Sequence, residues 1–223
     1  MTIADRAEAG RRLAIALDHL RGEDCVVVAL PRGGVEVAFP VAQSLQAPLT
    51  LMLIRKIGVP SQPELAMGAI VDGEKPIVVR NDDVIRHGRI PASVFDATAK
   101  RELEELERRH ALYLGGRPEV PIAGRIAVIV DDGIATGATV RAAIAGLWRR
   151  NPRKLVLAVP VAADDTLDML KPEVDELVCL EPLSPFGAIS ISYRHFPQLT
   201  DNEVIALLDA AGSRPGQAGS ENG

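Results

Sequence analysis

The chain predicts an α/β domain: a parallel central sheet with helices on both faces, plus a small hood and flexible-loop region. Three observations carry that expectation. Continuous apolar runs of strand length recur at Cys25–Leu30, Leu49–Ile54, Ile126–Val130, Leu155–Val159 and Leu177–Leu180, as strands buried on both faces require. Amphipathic stretches at helical spacing separate them, and strand–helix alternation implies parallel pairing through crossovers. The 223 residues suit one such core. Open α/β sheets bind ligands beyond the carboxyl ends of their strands, so the turns after the apolar runs are where function is sought.

Thr2 followed by Asp5 reads as a helix start of capping-box type, with Asp in place of Glu. Ala7, Leu13, Ala14, Leu17 and Leu20 then recur at helical spacing, and Gly22 closes the segment. The first apolar run ends at Pro31-Arg32-Gly33-Gly34, and Val35–Leu45 reads as the following helix. The second run ends in Arg55-Lys56. From 57 to 90 the pattern is broken by Gly58, Pro60, Pro63, Gly68, Gly73 and Pro76. A mobile loop and hairpin, rather than core, is expected there.

Val94–Leu114 predicts a charged helix with a solvated face, where Glu104 and Glu105 stand four residues before Arg108 and Arg109. Val140, Ile144, Leu147 and Trp148 form a helical stripe, which predicts a core position for the Trp. Asp164–Leu170 predicts a helix and Ser190–Tyr193 a short β piece. Thr200–Ala210 predicts a last helix, capped by Thr200 or Asp201 with Glu203 in its first turn. The domain is expected over 1–211, with hood elements at about 181–199. The stretch 212–223 is rich in Gly, Ser, Gln and Asn without apolar pattern, and is expected to be disordered.

Composition excludes several classes. Net charge is −5, with Lys and Arg scattered, which leaves no electrostatic footprint for nucleic acid. Aromatic residues make up 3%, too few for a stacking platform. Cys25 and Cys179 are far apart, each beside apolar residues, and read as free thiols in a reducing compartment. Their spacing does not suit a metal site. The N-terminus lacks the basic-then-apolar order of a signal peptide, and no apolar run approaches membrane-spanning length. A soluble, cytoplasmic protein without nucleic-acid or membrane partners is expected.

The most informative stretch is Val128–Thr139, VIVDDGIATGAT. A buried strand delivers two adjacent carboxylates, Asp131 and Asp132, to the carboxyl edge of the sheet. A glycine-bounded loop with two threonines then opens a helix, and exposed N–H groups there make an anion site. Carboxylates beside a phosphate cradle suit a ligand with both hydroxyls and a phosphate, such as a ribose 5-phosphate. An ordinary strand with a Thr136 or Thr139 cap would need neither two acids upstream nor two glycines.

This stretch resembles the phosphoribosyl-pyrophosphate signature of the type I phosphoribosyltransferases. The likeness extends through DRAEAGRRLA, ALPRGGVEVA, IRKIG, PELAMGAI and FPQLTDNEV to the bacterial group known as predicted phosphoribosyltransferases. It implies that Asp131 and Asp132 hold the ribose 2′- and 3′-hydroxyls. Gly133 and Ala135, Thr136, Gly137, Ala138 and Thr139 would wrap the 5′-phosphate. Arg32, Gly33 and Gly34 would hold pyrophosphate, with a strained non-proline cis peptide near Arg32. Arg55 or Lys56 would face the pyrophosphate, and alternation along a strand points only one of them inward, Lys56 by preference.

The resemblance also implies Mg²⁺, carried by the ligand and touching Asp131 and Asp132 at most, and it leaves a homodimer open. Its flexible loop maps onto Gly58–Ile70, where Glu64 is the only ionisable side chain. Glu64 either touches substrate or metal, or starts a helix. Tyr193 and Phe196 either flank a base, as hood aromatics do in the family, or pack the core.

The implied reaction displaces pyrophosphate from C1 of phosphoribosyl pyrophosphate by a nitrogen of a small heterocyclic base. Asp131, Asp132, Lys56 and Arg32 would be the catalytic set. Hypoxanthine-guanine enzymes carry an acid where this chain has Ala135, so ordinary 6-oxopurine salvage is disfavoured. A second reading keeps the phosphoribosyl site as a sensor without turnover. Dinucleotide oxidoreductases and P-loop nucleotidases fail on motif.

Overall fold

The computed structural model describes residues 2–73, 76–183 and 188–212. Along the chain run α1 (Arg6–Ala16), β1 (Cys25–Ala29), α2 (Gly33–Leu45), β2 (Leu49–Leu51), β3 (Ile54–Val59), β4 (Gln62–Val71) and β5 (Ile77–Arg80). Next come α3 (Asp82–His87), α4 (Ala92–Leu114), β6 (Ile126–Val130) and α5 (Ala138–Trp148). The chain then forms β7 (Lys154–Ala163), α6 (Asp164–Leu170), β8 (Glu176–Leu183) and α7 (Asp201–Gly212).

Five parallel strands form the main sheet in the order β2-β1-β6-β7-β8. This is the expected α/β architecture. β1 and β6 are buried along their whole length, which their unbroken apolar sequence allows. Successive side chains of β6 feed opposite layers: Val128 and Val130 join the cluster under α1, α2 and α7, and Ala127 and Ile129 join the one under α5. Both strands end beside each other, with Ala29 in register with Val130. The turns after β1 and β6 are therefore neighbours.

The second apolar run is not one strand. β2 pairs with β1, the chain crosses at the buried Met52-Leu53, and β3 begins in a second sheet of order β3-β4-β5. The region 57–90 corrects the sequence expectation. It is a three-stranded antiparallel sheet with α3, and Ile57, Met67, Ile70 and Val71 are fully buried in it. Pro60 and Ser61 form the two-residue turn between β3 and β4. Gly68 leaves space for the approach of β5: a Cβ there would stand 2.6 Å from the Val79 carbonyl oxygen. Glycines read as loop signals are here packing devices.

Smaller corrections follow from side-chain chemistry. Asp5, not Thr2, caps α1: its carboxylate accepts from the Glu8 N–H at 2.7 Å, and Glu8 accepts from the Ala4 N–H. On α4 it is Glu105 that pairs, with both Arg108 and Arg109. The other face of α4 buries Phe95, Leu106 and Tyr113. Trp148 is 40% exposed and donates from Nε1 to the Glu173 carbonyl, so it is not core. Residues 189–192 form a 3₁₀ turn instead of a strand, although Tyr193 makes a single bridge to Ile3. α7 starts as expected, with Thr200 and Glu203 capping each other. It runs to Gly212; 213–223 and hood residues 184–187 lie outside the described residues.

Candidate active site

Asp131 and Asp132 emerge where β6 ends, directly against the Arg32–Gly34 turn after β1. The two glycines of that turn are a consequence of this contact. A Cβ at Gly33 would stand 1.8 Å from Asp132 Oδ2, and one at Gly34 would stand 2.8 Å from the Val130 carbonyl oxygen and 3.1 Å from Asp131 Oδ1. No side chain fits at either position. The Pro31–Arg32 peptide is cis. The Gly34 N–H donates to the Leu30 carbonyl at 3.1 Å, so it is already engaged within the turn.

The acid pair is internally ordered. The Asp132 N–H donates to Asp131 Oδ1 at 2.9 Å. Burial, and then the neighbouring Asp132 charge, push the Asp131 carboxyl well above the usual carboxylate range. Asp132 is balanced differently. Arg6, at the first position of α1, donates from Nε to Asp132 Oδ2 at 2.7 Å and from the next nitrogen to the Pro197 carbonyl at 2.6 Å. Its guanidinium lies 3.7 Å from the centre of the Phe196 ring, and Phe196 packs on Tyr193 with centroids 4.6 Å apart. The Tyr193 hydroxyl donates to the Asp132 carbonyl at 2.7 Å.

Tyr193 and Phe196 thus form the wall that supports the acid pair. In this wall Tyr193 is buried and Phe196 half-buried. Burial pushes the Tyr193 phenol up, so it remains a donor across the ordinary pH range.

Arg6 is the residue that sequence reasoning missed. Its signal was present: buried Ala9, Gly10 and Leu13 lie three, four and seven residues on, so an arginine stands on the apolar stripe of α1.

The loop after the acids is shaped for an anion. Gly137 takes φ +73° and precedes α5 without any capping side chain. The first-turn N–H groups of α5 therefore lack intrahelical acceptors and point outward. Ala135, Thr136, Ala138 and Thr139 are exposed around them, whereas Gly133 is covered by Ile189. Thr166 braces the loop from α6 by donating to the Ala135 carbonyl at 2.7 Å.

Other candidates are placed differently. Arg32 leans toward Asp201 at 3.7 Å, and Asp201 also accepts from the Tyr113 hydroxyl. Burial and that bond raise the Tyr113 phenol to about 12. Arg55 pairs with Glu102 on α4 at 2.6 Å. Lys56 is exposed and meets Glu64 across the β3–β4 hairpin at 3.0 Å. Glu64 sits on β4 with its side chain 96% exposed, so its reading as a helix start is corrected. Neither Lys56 nor Glu64 joins the acid pair in this structure. A cavity of about 490 Å³, lined by Asp5, Arg6, Glu36, His195, Pro197 and Glu203 among others, lies on the α7 side of Arg6.

Among the described residues no group of three His, Cys, Asp or Glu side chains is placed to hold a metal ion. The two adjacent carboxylates, one with an oxygen already bonded to Arg6, suit only an ion that brings most of its ligands with it. Among the described residues no helix is long and apolar enough to cross a membrane.

Comparison with known proteins places the chain in a family. The family described as "Phosphoribosyl transferase domain" matches residues 2–187. Two Mycobacterium tuberculosis proteins, "Putative phosphoribosyl transferase MT0597" and "Putative phosphoribosyl transferase Rv0571c", are each 50% identical over 216 residues. Those matches cover 97% of this chain and 48% of the relatives, so the chain spans about half their length. The crystal structure of TT1426 from Thermus thermophilus is similar at TM-score 0.80 and 39% identity, covering 93% of this chain and 98% of that one.

Proposed function

The chain belongs to the phosphoribosyl transferase domain family, and on that footing we propose that it transfers the phosphoribosyl group of phosphoribosyl pyrophosphate to a nitrogen of a small heterocyclic base. The observation that carries this reading is the adjacency of three parts. Paired carboxylates, an uncapped helix start and the Arg32–Gly34 turn converge at the carboxyl ends of β6 and β1.

In this reading Asp131 and Asp132 accept hydrogen bonds from the ribose hydroxyls. The Ala135–Thr139 loop takes the 5′-phosphate on backbone N–H groups and the Thr136 and Thr139 hydroxyls. Arg32 supports the leaving pyrophosphate, and Lys56 joins it only when a ligand draws it away from Glu64. Positive charge develops on C1 and the ring oxygen as the C1–O bond breaks. Nearby carboxylate charge favours that state, and fixed geometry supplies much of the acceleration. Mg²⁺ bound to the diphosphate and the diol would offset the leaving-group charge.

The test is to incubate the protein with phosphoribosyl pyrophosphate, Mg²⁺ and a panel of purine and pyrimidine bases, and to follow pyrophosphate. Base-dependent release supports transfer. Tight binding without release from any base would support a sensor instead. Ala135 provides no carboxylate in the loop, so 6-oxopurines are expected to be poor acceptors.

A further inference from the structure

The Arg6 contact is unexplained by the reading so far. Asp132 Oδ2 is wedged between Arg6 Nε at 2.7 Å and Gly33, where even a methyl would overlap it. A ligand atom has no room on that side. The Asp132 carbonyl is held by Tyr193 and its N–H by Asp131. Oδ1 accepts no hydrogen bond from the described residues and is not sealed from solvent, so it is the oxygen left for a hydroxyl.

Arg6 is itself immobilised. Its side chain is 6% exposed, its second nitrogen is bonded to the Pro197 carbonyl, and its plane lies on Phe196. A planar fork fixed at two points and stacked on a ring holds one carboxylate oxygen in one orientation.

We propose that Arg6 is a positioning residue for sugar recognition. It clamps Oδ2 of Asp132 so that Oδ1 faces the ribose diol, and thereby sets the preference for ribose over 2-deoxyribose phosphates. The proposal rests on the phosphoribosyl reading of the site. Arg6 touches no substrate; it acts through Asp132.

Discrimination is the readout, because general loosening of the fold would not move it selectively. Calorimetric titration of wild-type protein with ribose 5-phosphate and 2-deoxyribose 5-phosphate is expected to show a ribose preference of about tenfold or more, the scale of a hydroxyl bond to a carboxylate. In Arg6→Met the preference falls to within about twofold of parity, while inorganic phosphate binds the loop as in wild type. Arg6→Lys keeps a cation but has a single nitrogen, and is expected to lose about threefold of the preference.

Arg6→Lys also decides the matter if Arg6→Met does not fold. Full ribose preference in folded Arg6→Lys or Arg6→Met overturns the proposal. So does loss of phosphate binding in step with sugar binding, which marks a structural role only. Tighter ribose binding in Arg6→Met overturns it too, since Arg6 would then be a competitor for Asp132. If wild-type protein binds neither sugar phosphate, the underlying phosphoribosyl reading fails first and this proposal with it.

Discussion

The parallel sheet and the antiparallel sheet spend their charges in opposite ways. At the end of β6, Asp131, Asp132 and Arg6 are largely withdrawn from water and bonded to one another and to backbone. On the β3–β5 sheet the Lys56–Glu64 and Arg80–Asp82 pairs stand at the surface, and the contacts with α4, Arg55 with Glu102 and Asp72 with His110, are partly withdrawn from water. Desolvated charges are strongly coupled to their partners, and exposed pairs are worth little. Substitutions in the first region should therefore alter binding and stability together. In the second they should alter stability slightly, or alter only what a ligand brings near.

The largest effect on sugar binding is expected at Gly33. The Cβ of Gly33→Ala would overlap Asp132 Oδ2, so the turn or the acid must shift. Forcing extra volume into a packed site costs about 1–3 kcal/mol, and Asp132 is displaced besides. Ribose 5-phosphate binding is expected to vanish from calorimetry, with a lowered melting temperature. Alanine at Gly124, which has open space but φ +75°, should lower melting alone. Retained sugar affinity in Gly33→Ala would show that the two turns are not in contact.

The two acids separate the next effects. Asp131→Asn removes a charge whose burial and neighbour already oppose ionisation. Its melting temperature should hold or rise, while turnover falls by about tenfold to a hundredfold, the worth of hydrogen bonds to a charged group. Asp132→Asn leaves the Arg6 guanidinium buried without its counter-charge, a loss on the order of 3–5 kcal/mol in buried pairs. Here both melting temperature and turnover should fall. Equal melting temperatures for the two variants would contradict the asymmetric pairing seen in the structure.

What the sequence made legible follows the same division. Buried parallel strands need unbroken apolar runs, so β1, β6 and the core of β7 could be read directly, and the acid pair with them; β8, half-buried at the sheet edge, was legible from its short apolar run Leu177–Leu180. The antiparallel sheet was legible only as a hairpin, not as part of the core. Its strands alternate and carry Gly58, Pro63 and Gly68 where neighbouring backbone comes close, and those residues read as loop. Arg6 and Phe196 come from opposite ends of the chain, and no local pattern links them. Only an arginine on an apolar stripe hinted that a buried partner existed.

Lys56 tests where the hairpin's role begins. Its pair with Glu64 is exposed, so Lys56→Ala should change melting little, within the 0–1 kcal/mol typical of surface pairs. If a ligand's pyrophosphate recruits Lys56, the variant weakens phosphoribosyl pyrophosphate and leaves ribose 5-phosphate untouched. Calorimetry with both ligands checks this; parallel weakening of both would place Lys56 nearer the sugar than the structure does.

The smallest effect is expected on α4, where Glu105 accepts from Arg108 and Arg109 and its carboxyl is lowered to about 2 by those bonds. A depressed folded value means the stabilisation is fully present above the ordinary value of 4.5 and is lost as pH falls toward about 2. Solvent screens both contacts, so each is worth little on a helix surface. Glu105→Gln should thus lower the urea midpoint marginally at pH 7, with a smaller difference near pH 3. A difference that stayed constant with pH would assign the effect to helix propensity or packing instead of charge. One well above a kilocalorie would mean that α4 couples to the rest of the fold far more tightly than its exposed face suggests.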